Sequence, residues 1–172
     1  MGAKYRLDDN FERVGYTDSP IAIAPFCFST RDGDELVNDP APVLGPDSVF
    51  AVTRMVTPLS RDARTILRVR ELSYDLEMKG SEFDLDISSA ADGEARQNSL
   101  IHYNGYFYLV IPTTVGKVTM NVDLAVPSDL IMVKFDQNWK IVESKVISAD
   151  PHYTETYVTG FKIDGNHFYI TR

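Results

Sequence analysis

Asp18 and Glu155 are the two carboxylates of this sequence that stand where acid–base chemistry would need them. Each comes just before a segment of strand-forming residues, Ile21 to Phe28 and Tyr157 to Ile163 respectively. A side chain at such a boundary is held by a sheet and faces whatever the loops enclose. Two carboxyl groups about 5–10 Å apart can cleave a glycosidic bond, one protonating the leaving oxygen while the other acts as base or nucleophile. Arg54, His152, Tyr153 and Tyr157 are the companions expected to contact a ligand, the cation by charge and the tyrosines by stacking. The same two carboxylates have a purely structural reading, in which they cap strand ends and pair with Arg54 and Arg172.

Other chemistries find less support. Asp84-Leu-Asp86-Ile-Ser88 followed by Asp92-Gly93-Glu94 has the acidity of a calcium loop, but the glycine and the terminal glutamate are misplaced for one. A solvated acidic loop is the expectation for that stretch. His102, His152 and His167 lack metal-ligand spacing, and Cys27 is the sole cysteine, so neither a metal nor a disulfide is expected. No Ser–His–Asp order, phosphate loop or dinucleotide fingerprint occurs, and no cofactor is expected. A formal charge of −8 argues against nucleic acid and anionic membrane surfaces as partners. The longest uncharged run near the start, Ser19 to Thr30, is too short to span a bilayer, and Met1 to Asp9 has no apolar signal-peptide core. The expectation is a cytoplasmic or otherwise soluble protein.

The elements that must position these residues are strands. In Ser99 to Ile111 the dipeptide Asn104-Gly105 supplies the two left-handed residues of a type I′ hairpin turn. Across it Tyr103 faces Tyr106, Ile101 faces Tyr108 and Ser99 faces Val110, while Leu100, His102, Phe107, Leu109 and Ile111 occupy the opposite face. Both faces are apolar, so the sheet is expected to be covered on both sides. A second hairpin type recurs at Arg6 to Glu12, Glu71 to Glu77 and Lys134 to Lys140. In each copy Asp or Ser opens the turn and accepts a backbone hydrogen bond, and Asn or Asp two residues later tolerates a left-handed backbone.

Set in order, these signals give repeated antiparallel units of four strands. The middle unit has strands at 99–103, 106–111, 130–135 and 139–147; an earlier one has them near 21–28, 49–54, 65–72 and 75–80. A third is split, its first two strands at 157–163 and 167–172 and its last two at 4–7 and 11–16. The chain thus reads as one all-β domain, 1–172, with repeats at about 17–80, 81–147, and 148–172 plus 1–16. Stacked four-stranded repeats are the blades of a β-propeller, and a unit shared between the chain ends is a common way to close the ring. A β-sandwich is the competing architecture. Short turns would gather on one face and most long links on the other, where Asp18, Arg54 and Glu155 stand; the exception is the loop from Thr30 to Ser48.

The hairpin Gly105-Tyr-Phe-Tyr108 and the later Phe135-Asp-Gln-Asn-Trp-Lys-Ile-Val142 resemble blades of the glycoside-hydrolase-type propellers, the family 43 arabinosidases, xylosidases and their relatives. The resemblance implies a propeller fold and a carbohydrate ligand, bound or hydrolysed with acids contributed by different blades. A non-catalytic assembly scaffold is the alternative. Roughly four blades is the smallest propeller, so three per chain imply a homodimer that completes one six-bladed ring.

Overall fold

The structure, a computed structural model, describes residues 35–36, 41–56, 65–75, 77–91, 99–113, 129–149 and 158–171. Every regular element among them is a strand, and all pairings are antiparallel. The first sheet contains β1 (Glu35–Leu36), β2 (Ala41–Leu44), β3 (Val49–Val56), β4 (Thr65–Leu72) and β5 (Phe83–Asp86). β1 and β2 both pair along one edge of β3, and β4 and β5 follow on its other side. The second sheet is β6 (Leu100–Tyr103), β7 (Tyr106–Thr113), β8 (Asp129–Phe135) and β9 (Ile141–Ala149), in chain order. β10 (Gly160–Asp164) and β11 (His167–Thr171) form a separate hairpin.

The second sheet follows its sequence pattern closely. Asn104 and Gly105 have φ of 47° and 78°, both left-handed as a type I′ turn demands, and Tyr103 pairs with Tyr106 around them. β7 is buried on both faces. Phe107, Leu109 and Ile111 enter the core shared with the first sheet, whereas Tyr108 and Val110 pack against Val158, Phe161 and Ile163 near the β10–β11 hairpin. The second sheet is therefore the middle of three layers. Trp139 anchors the larger core, stacked on Phe107 with ring centres 4.1 Å apart and met edge-on by Phe50 at 5.4 Å.

The repeated turn is also real. Asp136 Oδ1 accepts from the backbone N–H groups of Asn138 and Lys140, each at 2.9 Å. Ser73 Oγ does the same for Asp75 at 3.2 Å and Glu77 at 3.1 Å. The backbone closes each turn identically, Ser73 N–H to the Glu77 carbonyl and Asp136 N–H to the Lys140 carbonyl. One detail differs from expectation: the left-handed residue is Trp139, with φ of 61°, one place beyond Asn138. Seating the indole between the sheets selects that backbone, against a cost of about 1 kcal/mol for a non-glycine residue.

The first sheet corrects the sequence reading in three places. The edge next to β3 is occupied by β1 and β2, from a segment expected to be loop; the segment 21–28 lies outside the described residues. The fourth strand is β5, at 83–86, not 75–80. Pairing after the Ser73 turn makes a single bridge, Leu72 to Met78, then breaks at Gly80, whose φ is 101°, and resumes only at Phe83 opposite Val69. Asp84 and Asp86 consequently belong to a strand, not to a solvated acidic loop. Asp84 carries a two-oxygen ion pair with buried Arg68 at 2.8 and 3.1 Å, and Asp86 accepts from the Ser88 N–H at 3.0 Å. The N-terminal half of the split repeat, 1–16, and Cys27 lie outside the described residues.

Candidate functional site

The first strands of the three layers, β2, β6 and β10, run side by side, β6 touching both of the others. Between them opens a cleft of about 610 Å³, within the range of small-ligand sites. Its wall is supplied by Val43 and Leu44 of β2, by Leu100, Ile101 and His102 of β6, by Phe161 and Lys162 of β10, and by Tyr169 and Thr171 of β11. The alternation of the β10–β11 hairpin decides what it offers. Phe161, Ile163 and Ile170 face the core, so Gly160, Lys162, Tyr169 and Thr171 share the other face, with Lys162 directly opposite Tyr169 and Gly160 opposite Thr171. Tyr169 is 55% exposed, its ring tilted beside that of His167 with centres 6.4 Å apart, and it presents aromatic surface to a flat apolar group.

Gly160 has a packing role. A Cβ there would lie 2.7 Å from Thr171 Oγ1, so only glycine leaves that hydroxyl in place beside Thr159 Oγ1, 3.1 Å away. His102 reaches the cleft from the second sheet, its ring tilted on Phe107 at 5.0 Å. Its Nε2 is buried with no hydrogen-bond partner. Burial pushes the imidazole below its ordinary pKa, so His102 is uncharged at neutral pH. Among the described residues no aspartate or glutamate lines the cleft, and no group of three potential metal ligands occurs.

Asp18, His152, Tyr153, Glu155 and Tyr157 lie outside the described residues. Arg54 is in β3 opposite Leu67, its position described by backbone alone. The structure thus brings together a different set: His102, Lys162, Tyr169 and Thr171. The sequence placed His102 on the same apolar hairpin face as Phe107, and His102 does pack on that ring. The signal that could have found the rest is the polar alternation Lys162, Asp164, His167, Tyr169, Thr171 around the Gly165-Asn166 turn.

The charged residues at the far side of the first sheet do other work. Arg68 is 1% exposed and Arg70 is 9% exposed; Asp84 and Glu82 hold them across the β4–β5 pairing. These are structural ion pairs. No helix among the described residues is long and apolar enough to cross a membrane. No family model, no curated protein and no solved structure matches this chain.

Proposed function

We propose that this chain is a β-propeller-type protein that binds carbohydrate in the cleft between its innermost strands. The observation that carries the reading is Tyr169, an exposed ring on the cleft wall with an amine and a hydroxyl on the same face of its hairpin. Sugars are held in this way, the C–H face of the ring on an aromatic and the hydroxyls on a few fixed polar groups. The propeller architecture is supported by two sheets that share an antiparallel plan, by a third layer that contains a tight two-residue hairpin, and by strands β2, β6 and β10, which are neighbours around the cleft. Binding is favoured over hydrolysis because the cleft wall has no carboxylate among the described residues.

A glycan array read with the wild type and Tyr169→Ala tests this, beside a panel of chromogenic glycosides. The expected result is binding to at least one glycan that falls at least tenfold in the variant, with no turnover. Hydrolysis abolished by Glu155→Gln would instead restore the catalytic reading built on Asp18 and Glu155.

A homodimer forming a six-bladed ring is the assembly reading. It is favoured by three layers per chain, one fewer than the smallest propeller, and by Phe168, 47% exposed on β11. Light scattering should give twice the 19.3 kDa chain mass; a folded species at 19.3 kDa contradicts it.

A further inference from the structure

The charge of the cleft is opposite to that of the chain around it. The sequence has 25 acidic and 17 basic residues, yet the described wall carries a lysine and no carboxylate. Lys162 is exposed and makes no ion pair among the described residues. The nearest acidic group on its own face is Asp164, one pleat toward the turn and outside the cleft wall. His102, the other basic side chain there, is uncharged at neutral pH, so Lys162 is the cation a ligand would meet.

Resting on the carbohydrate reading above, we infer that the cleft selects an acidic sugar, a uronic-acid residue whose ring lies on Tyr169 and whose carboxylate takes the Lys162 ammonium. The pairing across β10 and β11 fixes the two groups as direct neighbours. Cross-strand partners of this kind have Cβ atoms about 4.5–5.5 Å apart, close enough for one sugar residue to touch both side chains. An ammonium–carboxylate contact at the edge of an apolar wall is stronger than the neutral hydrogen bond a hexose hydroxyl would make. A neutral sugar would keep the stacking and lose that contact.

Calorimetric titration of the full chain with glucuronate, galacturonate, glucose and acetate, at low and moderate salt, tests the inference. Either uronate is expected to bind about tenfold more tightly than glucose, with acetate binding undetectable and the advantage shrinking as salt rises. Lys162→Met should remove the uronate advantage, lowering uronate affinity about tenfold more than it lowers glucose affinity; Lys162→Arg should restore most of the advantage. Glucose binding as tightly as either uronate, or acetate binding as tightly as glucuronate, would overturn the acidic-sugar assignment while leaving a cleft that binds sugar. If none of the sugars binds, or if binding is indifferent to Tyr169→Ala, the underlying carbohydrate reading falls with it. Lys162 is exposed, so its variants are expected to fold, and an unchanged melting temperature verifies that.

Discussion

The five-stranded first sheet and the four-stranded second sheet share a plan and are finished differently. In each, a short turn joins two strands, β2 to β3 and β6 to β7, a longer link leads to the next strand, and an Asp or Ser turn follows that strand. In both, the second residue of that turn reaches toward the other turn. Tyr74 donates its hydroxyl to the Gly45 carbonyl at 3.0 Å and so ties the two turns of its sheet, while the Gln137 side chain lies beside Gly105 of the facing turn. The difference lies in the faces. The second sheet is apolar on both sides of β7, because it is the middle layer. The first sheet is apolar toward the second and ionic away from it, where Ala51 and Thr53 share a buried face with Arg68 and Arg70. The comparison teaches that turn chemistry specifies the repeat, whereas each outer face is adapted to its own surroundings.

That comparison can be broken at its strongest point first. Phe107→Ala removes the ring on which Trp139 stacks and around which Phe50 and His102 gather, and should cost about 3–5 kcal/mol in urea unfolding. Asp84→Ala takes the two-oxygen carboxylate partner from buried Arg68 and leaves Glu82 at the longer distance of 3.6 Å. The expected loss is smaller, about 2–3 kcal/mol, because Asp84 is itself 31% exposed. The paired change Arg68→Met with Asp84→Leu should recover most of that loss, because it leaves no buried charge unpaired.

The equivalence of the two turns predicts parallel, graded effects. Asp136→Ala and Ser73→Ala each strip an acceptor from two backbone N–H groups, so both should destabilise, the charged acceptor by about 1–2 kcal/mol and the hydroxyl by about 0.5–1 kcal/mol. Equal and negligible effects would mean that the turns are alike only in outline.

The smallest effect is the pH dependence that Glu71 gives the first sheet. Glu71 stands at the repeat position held by Lys134 in the second sheet. The hydrogen bond from the Ser48 hydroxyl, aided by Lys79 at 3.1 Å, lowers its pKa against the opposing effect of burial. A carboxyl whose folded pKa is depressed adds its full stability above the ordinary carboxylate range and loses it as pH falls through the folded value. Glu71→Gln should therefore be less stable than wild type at neutral pH, with the two melting curves converging in acid. A gap that persists below pH of about 3 would assign the effect to packing instead.

The sequence was most legible where local chemistry alone decides structure. Asn104-Gly105 gave a hairpin register correct to the residue, and Asp136 and Ser73 marked turns whose hydrogen bonds are present. It was least legible where pairing overrides local signals. β2 contains Pro42, which reads as loop, and is tolerated because β2 pairs on one side only. β5 was hidden by the break at Gly80, after which the chain returns to β4 with an altered register. The cleft was illegible for a related reason. It forms where β2, β6 and β10 meet, from residues far apart in sequence, each of which taken alone reads as scaffold.

The central claim is that these first strands together form the ligand site, and amide chemical-shift mapping tests it most directly. Titrating the labelled chain with the best-binding glycan should move the amide signals of Val43, Ile101, His102, Lys162 and Tyr169, which line the cleft from all three layers. Signals at the Asp136 and Ser73 turns should stay in place. Shifts confined to residues outside the cleft wall, with those five unmoved, would contradict the account.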